Sequence, residues 1–389
     1  MITSLLDNDF YQFTMSQYAW KYEKTKTVRY EFRNRSFAVP LGNRISIPEL
    51  NLAFKYIQQL SFTEKEIQYL FQLEYFDKEY IQDLTQMKLC EVNVSSNNGH
   101  LVIEYEDIWW KAMFWETIIL SIVNEFYFDD FDTKYSEGEK RLLEKRDYLL
   151  SYPGIYFSEF GTRRRFSHSW QWRVYDFLME ELPEQVVGTS NTLLAMQYEQ
   201  RPIGTMAHQI FMVTTASQYR ESNPYTIKDA TNMVLRQWRS MYGKHPELMI
   251  LLPDTYTTPV FMDAIPSYTI DDYPAMRQDS ADPIKIGDMW IDYIKSLKKD
   301  PKEKLIIFSD SLNMRTMSLL WERYHKQINV GFGWGTNLTN DLGYETLSTI
   351  IKPKSVMGIP CVKISDDLQK ATGDSQSINK YLEMIAKSK

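Results

Sequence analysis

The sequence has few cysteines, no block of basic residues and no long apolar segment, and each shortage excludes a class of protein. Cys90 and Cys361 are far apart and without a CxxC motif, so they cannot build a disulfide framework or a zinc cluster. A net charge of −7 without a basic block argues against nucleic-acid binding. The apolar run 118–123 is too short to span a bilayer. We therefore expect neither nucleic acid nor membrane among the partners.

The composition fits an ordinary globular protein. The 389 residues are 43% hydrophobic and 24% charged, enough for two or three domains with a sizeable core. The first residues contain no basic region followed by an apolar signal core. Together with the scarcity of cysteine, this predicts a reducing, cytoplasmic location.

Short β-rich runs alternate with helical segments from about residue 155 onward, and each run ends in polar, acidic or glycine residues. Such alternation predicts parallel strands, and an α/β barrel builds its active site from the loops at the C-terminal strand ends. We count seven runs, one fewer than in the standard barrel. They lie at 155–158, 186–187, 204–207, 249–252, 274–276, 305–308 and 328–330.

The remaining chain mixes helical and strand signals. A hairpin is predicted around Asn97-Asn98-Gly99, and a last strand pair at 347–351 and 361–364. The predicted fold class is therefore α/β: an irregular, seven-stranded barrel with an additional α/β domain. The predicted domains are an N-terminal α/β domain at 1–130, the barrel with its catalytic loops at 131–345, and C-terminal strands and helix at 346–389 that join the N-terminal domain.

Two of the predicted strand ends carry residues suited to anions. In Phe160-Gly161-Thr162-Arg163 a ring and a glycine introduce three consecutive arginines, whose guanidinium groups match carboxylates and phosphates. An isolated arginine triplet is more simply a solvated charge run, but its place at a strand end favours ligand binding. The glycine-rich segment 331–337 can direct backbone N–H groups into one concavity, as a phosphate requires. A tight turn is the simpler alternative.

Acidic groups and an imidazole follow neighbouring predicted strands. Asp279 can accept two hydrogen bonds from a ribose diol, and Asp310 offers a second acid for a hydroxyl or a Mg²⁺-bound water. Helix capping is the alternative role for the segment around Asp310. His208 follows the small residues of 202–207, where backbone can approach a ligand closely and an imidazole stays reachable.

Segments along nearly the whole chain resemble, in order, the nicotinate phosphoribosyltransferase family. They read SLLDNDFYQFTM, FGTRRRFS, GTSN, PIGTMAH, RQDSADP, FSDSLN, GFGWGTNLTND and VKISD. The resemblance implies formation of nicotinate mononucleotide from nicotinate and phosphoribosyl pyrophosphate, coupled to ATP hydrolysis and assisted by Mg²⁺. It also implies an irregular α/β barrel with a second α/β domain, and a homodimer whose active sites form between subunits.

The same resemblance assigns roles to individual residues. His208 matches the histidine that ATP phosphorylates, and Arg277 and Asp279 join it as catalytic residues that hold substrate and ribose. The expected nicotinate-binding residues are Tyr11 (reaching in from the partner subunit), Phe160, Arg163, Ser190, Thr205 and Arg277. The expected phosphoribosyl pyrophosphate-binding residues are Asp279, Ser309, Asp310, Gly333, Gly335 and Thr336. No side chain is assigned to Mg²⁺, which is expected to arrive with the pyrophosphate.

Three positions depart from the family's usual pattern. Ala281 replaces a glycine, Gln209 replaces a frequent glutamate, and Leu368-Gln369-Lys370 replaces Pro-Gly-Lys. A methyl group at Ala281 strains its loop if φ there is positive. Two alternatives remain open. One is a nicotinamide phosphoribosyltransferase, although Ser190 stands where that relative has an aspartate; the other is a catalytically retired relative that binds nucleotide.

Overall fold

The computed structural model describes residues 2–129, 131, 134–220, 223 and 225–387, which form two β-sheets surrounded by helices. The strands are β1 Thr27–Asn34, β2 Asn93–Asn97, β3 His100–Ile108, β4 Phe157–Glu159, β5 Val186–Thr189, β6 Ile250–Leu251, β7 Ala275–Gln278, β8 Leu305–Phe308, β9 Asn329–Trp334, β10 Thr349–Val356 and β11 Ile359–Pro360. The helices are α1 Phe10–Tyr22, α2 Leu41–Arg44, α3 Ile47–Gln59, α4 Glu64–Gln72, α5 Lys78–Thr85, α6 Trp109–Ala112, α7 Trp115–Phe128, α8 Tyr135–Leu150, α9 His168–Glu181, α10 Thr192–Gln197, α11 Gln209–Gln218, α12 Thr226–Tyr242, α13 Thr258–Ala264, α14 Thr269–Asp272, α15 Pro283–Ser296, α16 Met314–Tyr324, α17 Thr336–Thr339 and α18 Ser375–Lys387.

The first sheet is antiparallel, with the strand order β11-β10-β1-β3-β2. The predicted hairpin is β2-β3, and its turn residues Asn98 and Gly99 have φ values of 49° and 79°. A tight two-residue turn needs this left-handed backbone, which asparagine and glycine adopt most easily. Strand β10 overlaps the predicted run 347–351 and pairs with β1, so the C-terminal strands lie in the same sheet as the N-terminal ones. The strand predicted at 361–364 was wrong, because β10 turns back earlier and pairs with β11 at Ile359–Pro360. The borders between domains stay a prediction.

The second sheet is parallel, with the order β5-β4-β9-β8-β7-β6, and this confirms the α/β fold class. Six of the seven predicted runs overlap these strands. The seventh run, 204–207, was wrongly predicted to be a strand. This segment forms single hydrogen bonds to neighbouring segments and not the repeated backbone pairs of a sheet. The Ile203 N–H donates to the Thr189 carbonyl at 2.8 Å. The Thr205 hydroxyl donates to the Leu248 carbonyl at 2.6 Å. Closure of the six strands into a barrel stays a prediction.

The parallel arrangement explains where the site lies. Strands β4, β7, β8 and β9 are adjacent and run in one direction, so their C-terminal ends reach the same edge of the sheet. Most of their apolar residues are buried, as is usual for parallel strands, whereas Leu305, Ile307 and Val330 are half-buried. The polar residues that follow each strand therefore converge, although they are far apart in the sequence.

The N-terminal segment reaches this same edge. Asp9 forms an antiparallel bridge with Asn191, and the Phe10 N–H donates to the Ser190 carbonyl at 2.7 Å. These bonds fix the start of helix α1 beside the end of strand β5. Among the helices that the structure describes, none combines the length and apolar character needed to cross a bilayer.

Candidate active site

A cavity of about 740 Å³ lies at the edge where the parallel strands end. Among the described residues, seven basic and four acidic side chains line it, although the whole chain carries a net charge of −7. The basic residues are Arg35, Arg163, Arg164, Arg277, Lys352, Lys363 and Lys370, and the acidic ones are Asp279, Asp310, Asp341 and Glu345. The cavity therefore suits a ligand with several negative charges.

The structure brings together every predicted site residue except Ser190. The residues that line the cavity as predicted are Tyr11, Phe160, Arg163, Thr205, His208, Arg277, Asp279, Ser309, Asp310, Gly333, Gly335 and Thr336. Ser190 is fully buried instead, and its hydroxyl donates to the Asp9 carboxylate at 2.6 Å. Asp9 in turn lies 3.5 Å from the Arg163 guanidinium. Ser190 thus lies behind the residues that line the cavity and contacts Asp9, the neighbour of Arg163. The sequence pattern did not reveal this buried position.

Tyr11 belongs to the cavity of its own chain. Its ring lies 5.7 Å from the Arg163 guanidinium carbon, and the side chain is 4% exposed. The expectation that Tyr11 reaches in from a partner subunit is therefore wrong. The physical reason is the pairing of Asp9 and Phe10 with residues 190–191, which holds the start of α1 against the parallel sheet. The Tyr11 hydroxyl is buried and has no hydrogen-bond partner among the described residues.

An arginine and two aromatic rings form one end of the cavity. The Phe160 N–H donates to the Trp334 carbonyl at 2.8 Å, so the ring is held beside strand β9. Arg163 is 38% exposed, and the nearly buried carboxylates of Asp9 and Glu116 lie 3.5 and 4.0 Å from its nitrogens. Burial raises the pKa of Asp9, and the charge of Arg163 opposes that rise. The exposed part of the guanidinium remains available to a carboxylate on a flat ring.

Glycines form the wall of the cavity next to Phe160. An added Cβ on Gly333 would lie 3.3 Å from the Ser309 Cβ and 3.5 Å from the Phe160 ring. An added Cβ on Gly335 would lie 3.1 Å from the Phe160 carbonyl oxygen. Side chains at these two positions would crowd the wall, whereas bare backbone leaves room for a phosphate before Thr336.

His208 lies at the centre of the polar cluster. Its Nδ1 is 3.1 Å from the Thr255 hydroxyl, and its Nε2 is 2.9 Å from an Asp279 oxygen. The Lys363 Nζ also lies 2.9 Å from Nε2 and 3.1 Å from an Asp254 oxygen. Burial lowers the pKa of His208 to about 4, with Lys363 adding to the effect while Asp254 opposes it. The imidazole is therefore neutral near pH 7 and can act as a nucleophile.

Asp279 and Arg277 extend the cluster into the open cavity. The Ser309 hydroxyl donates to Asp279 at 2.9 Å, and an Arg277 nitrogen lies 4.0 Å from the same carboxylate. Burial alone would raise the pKa of Asp279, but the charge of Arg277 holds it well below its usual range. The Arg277 Nε is buried and has no partner in the described part of the chain, so it can donate to a bound anion.

Sequence reasoning missed four functional candidates: Arg35, Lys352, Lys363 and Asp254. Asp254 follows a predicted strand run, which is the signal that singled out Asp279 and Asp310. Lys363 lies in a segment that resembles the family, but no role pointed to it. Arg35 and Lys352 lie after β1 and within β10, and only the pairing of those strands brings them to the cavity.

The three departures from the family pattern have distinct local settings. Ala281 has a φ of 63°, so the condition for strain is met. Gln209 accepts a hydrogen bond from the Tyr30 hydroxyl at 2.6 Å, and its amide nitrogen donates to Glu116 at 3.3 Å. Lys370 lines the cavity and forms an ion pair with Asp310 at 2.6 Å. The last two side chains are therefore fully engaged in this structure.

Comparisons with known proteins agree with this geometry. A model of the nicotinate phosphoribosyltransferase family matches residues 155–385, and a model of that family's N-terminal domain matches residues 6–124. The nicotinate phosphoribosyltransferase of Porphyromonas gingivalis is 30% identical, with a TM-score of 0.90 over 99% of this chain and 100% of that one. A putative nicotinate phosphoribosyltransferase of Saccharomyces cerevisiae is 29% identical, with a TM-score of 0.89 over 99% and 98%. The Vibrio cholerae nicotinate phosphoribosyltransferase is 29% identical, with a TM-score of 0.87 over 99% and 94%. The chain belongs to the nicotinate phosphoribosyltransferase family.

Proposed function

We propose that this protein forms nicotinate mononucleotide and pyrophosphate from nicotinate and phosphoribosyl pyrophosphate, in the cytoplasm, as a step of NAD biosynthesis. The observation that carries the proposal is the basic cavity in an acidic chain. An aromatic–arginine end fits a flat ring with a carboxylate, and a glycine wall fits a phosphate. Family membership makes this pair of substrates the natural occupants.

Nicotinate is proposed to bind between Phe160 and Tyr11, with its carboxylate on the exposed part of Arg163. A guanidinium binds a planar carboxylate through two parallel hydrogen bonds, which fixes the orientation of the ring. Thr205 lines the same cavity, but its hydroxyl is engaged with the Leu248 carbonyl. We therefore assign to Thr205 a role in shaping the pocket wall.

Phosphoribosyl pyrophosphate is proposed to bind next to the nicotinate position. Its 5′-phosphate fits the backbone around Gly333, Gly335 and Thr336, and the ribose diol can donate to Asp279. The pyrophosphate then meets Arg277, whose buried Nε lacks an acceptor. Ser309 and Asp310 complete this side of the cavity, with Ser309 holding the Asp279 carboxylate in place.

The chemistry needs positioning more than proton transfer. The ring nitrogen of nicotinate carries a lone pair and bonds to the anomeric carbon, while the bond from that carbon to the pyrophosphate oxygen breaks. The ribose becomes cation-like during this exchange, and the Asp279 carboxylate that is proposed to bind the diol would stabilise its positive charge. The electron pair of the broken bond leaves on the pyrophosphate oxygen. Basic side chains of the cavity would stabilise the negative charge of the departing pyrophosphate.

Magnesium is proposed to enter bound to the pyrophosphate. His208, Asp254 and Asp279 place ligand atoms within 4.8 Å of one another, but the Lys363 ammonium lies among them. This donor set therefore does not fit a resident metal ion. When bound to the pyrophosphate, Mg²⁺ would neutralise part of its negative charge.

ATP is proposed to phosphorylate His208 and so to couple its hydrolysis to the transfer. What supports this step is a neutral imidazole whose Nε2 lies between cavity-lining groups. A variant His208→Asn should lose ATPase activity and ATP stimulation yet keep some basal transfer, since the transfer itself requires no imidazole. Full ATP stimulation in that variant would contradict the assignment.

The proposed assembly is a homodimer, as the resemblance implies. Because Tyr11 lines its own chain's cavity, mixing of inactive Tyr11 and Asp279 variants should not restore activity through a shared site. Sedimentation equilibrium tests the dimer directly, and a monomer at working concentrations would refute this part of the proposal.

The decisive experiment measures product formation from labelled nicotinate and, separately, nicotinamide, with and without ATP. We expect nicotinate mononucleotide, and a strong preference for nicotinate that Arg163→Gln reduces. Arg173→Gln is the matched control, because Arg173 is 43% exposed and pairs with Glu139 away from the cavity. Protein that binds both substrates and forms no product would favour a retired relative, and a preference for nicotinamide would favour the other alternative.

A further inference from the structure

The Nε2 atom of His208 contacts two groups with opposite requirements. The Lys363 ammonium, 2.9 Å away, can only donate a hydrogen bond, whereas the Asp279 carboxylate, also 2.9 Å away, can only accept one. A neutral imidazole nitrogen carries either a proton or a lone pair. Only one of the two neighbours can therefore form a good hydrogen bond with Nε2 at a time.

The choice between these neighbours is a choice of tautomer. If Nε2 carries the proton, it donates to Asp279 and Nδ1 accepts from Thr255. If Nδ1 carries the proton, it donates to the Thr255 hydroxyl 3.1 Å away, and Nε2 accepts from Lys363. Only the second arrangement leaves a lone pair on Nε2, the nitrogen beside the cavity-lining Asp279 and Lys363.

We propose that Lys363 is a further functional residue of this site: it selects the Nδ1–H tautomer of His208 and then binds the phosphoryl group that Nε2 receives. The second half of this proposal rests on the proposed phosphorylation by ATP, whereas the first half does not. The sequence pattern assigned no role to Lys363. Its contacts with His208 and Asp254 in the structure identify it as a candidate functional residue.

Lys363 is held firmly enough for this role. Its side chain is 6% exposed, and its ammonium donates to an Asp254 oxygen at 3.1 Å. The backbone of Lys363 bridges to Thr372, and the next residue donates its N–H to the Thr255 carbonyl at 2.9 Å. The segment that carries the ammonium therefore packs against the turn that carries the Nδ1 partner, and the two sides of the imidazole are fixed together.

The phosphoryl step balances with these groups. The Nε2 lone pair forms a bond to the γ-phosphorus of ATP, and the bond from that phosphorus to the bridging oxygen breaks, with its electrons leaving on ADP. The ring keeps its proton on Nδ1, which still donates to the Thr255 hydroxyl, and the ring becomes positively charged. Asp254 and Asp279 balance this charge, and Lys363 donates to the phosphoryl oxygens instead of to Nε2. The buried Asp254 Oδ1, which has no hydrogen-bond partner among the described residues, lies 3.6 Å from Nε2 on this side of the ring.

Nitrogen-15 NMR of the histidine rings tests the tautomer without any substrate. The chain has five histidines, and comparison with His208→Asn assigns the His208 signals. We expect the Nδ1–H form in the native protein and a shift to the Nε2–H form in Lys363→Met, which has no donor. Lys354→Met is the matched control, because Lys354 is 44% exposed and pairs with Glu31 and Glu104.

A native protein in the Nε2–H form would overturn the proposal without reference to any variant. An unchanged tautomer in a folded Lys363→Met protein, checked by its melting temperature, would also overturn it. Either result leaves the proposed phosphoribosyl transfer untouched, because that activity is measured separately.

Labelling with γ-phosphate-labelled ATP tests the second half. Acid-labile phosphate on the protein should fall about tenfold or more in Lys363→Met, since one charge-assisted hydrogen bond to the phosphoryl group is lost, and stay unchanged in Lys354→Met. Native-level phosphoenzyme in Lys363→Met would refute this role. If the native protein forms nucleotide but no phosphoenzyme, the ATP coupling itself is refuted, and with it the phosphoryl-binding role, while the tautomer result still stands.

Discussion

Gly333 offers the sharpest test of the phosphate-binding wall, through the substitution Gly333→Ala. The added Cβ would lie 3.3 Å from the Ser309 Cβ, which is tighter than ordinary van der Waals contact. Ser309 therefore has to move by a few tenths of an ångström, and its hydroxyl holds Asp279 at 2.9 Å. The methyl group thus both occupies the wall and displaces a carboxylate that is proposed to bind the ribose.

The expected cost follows from this displacement. A misplacement of about 1 Å in a catalytic site can lower the rate about 100-fold, so a smaller shift predicts a loss of about 10-fold to 100-fold in kcat/KM for phosphoribosyl pyrophosphate. Folding should change by no more than about 1 kcal/mol, because alanine limits the unfolded chain more than glycine does and offsets the tight contact.

Gly331→Ala is the matched control, two residues earlier on strand β9. Its added Cβ would meet Leu305 at 3.6 Å and Ile307 at 3.8 Å, both ordinary contacts, and Gly331 does not line the cavity. Initial rates at varied phosphoribosyl pyrophosphate, together with melting curves, compare the two variants. Native kinetics in a folded Gly333→Ala protein would refute the placement of the substrate, and so would equal losses in both variants.

Three further predictions concern the neighbouring loops and the histidine. Arg277→Ala and Asp279→Ala should each lower kcat/KM about 30-fold to 1000-fold, since a charge-assisted bond in a dry site is worth roughly 2–4 kcal/mol; steady-state rates close to native for both would show that the loop does not contact substrate. Ala281→Gly should stabilise the fold by about 0.5 kcal/mol, because relief of about 1–2 kcal/mol of left-handed strain exceeds the added chain entropy. Urea unfolding measures this, and a loss of stability would show that the loop is not strained at its φ of 63°. Finally, burial lowers the pKa of His208 from 6.5 to about 4. Between pH 6.5 and pH 4 the imidazole is therefore protonated in the unfolded chain and neutral in the folded one. The free energy of unfolding should therefore fall as the pH is lowered through this range, and by less in His208→Asn than in the native protein when urea unfolding is measured at pH 7 and pH 4. An equal fall in both proteins would contradict the low pKa.

The lining of the cavity was largely predictable, because it depends on residue types at strand ends. Phe160, Asp279 and Gly333 each follow or end a β-rich run, and parallel strands necessarily bring such residues to one edge. Ser190 also follows a strand end, yet it lies behind the wall. Strand periodicity alone does not state whether the residue after a strand turns towards the cavity or towards a neighbouring loop.

Tyr11 shows the limit of arguing from distance in the sequence. Its separation from the parallel strands favoured a contact between subunits, but residues 8–10 pair with residues 190–192 of the same chain. The position of Lys363 is equally inaccessible to sequence patterns. It depends on a C-terminal segment that passes the turn at Thr255, a contact between residues more than a hundred positions apart.

The sequence by itself determined the α/β class, the family and most of the residues that line the cavity, because these follow from local hydrophobic patterns and from short motifs at strand ends. The tertiary structure alone decided which charges surround His208, that Tyr11 lines the cavity of its own chain, and that the backbone at Ala281 is left-handed. Local patterns determine which residues follow each strand and the order of those strands along the chain. Contacts between distant segments, fixed by the packing of two sheets and by individual backbone hydrogen bonds, decide which of those residues share a cavity.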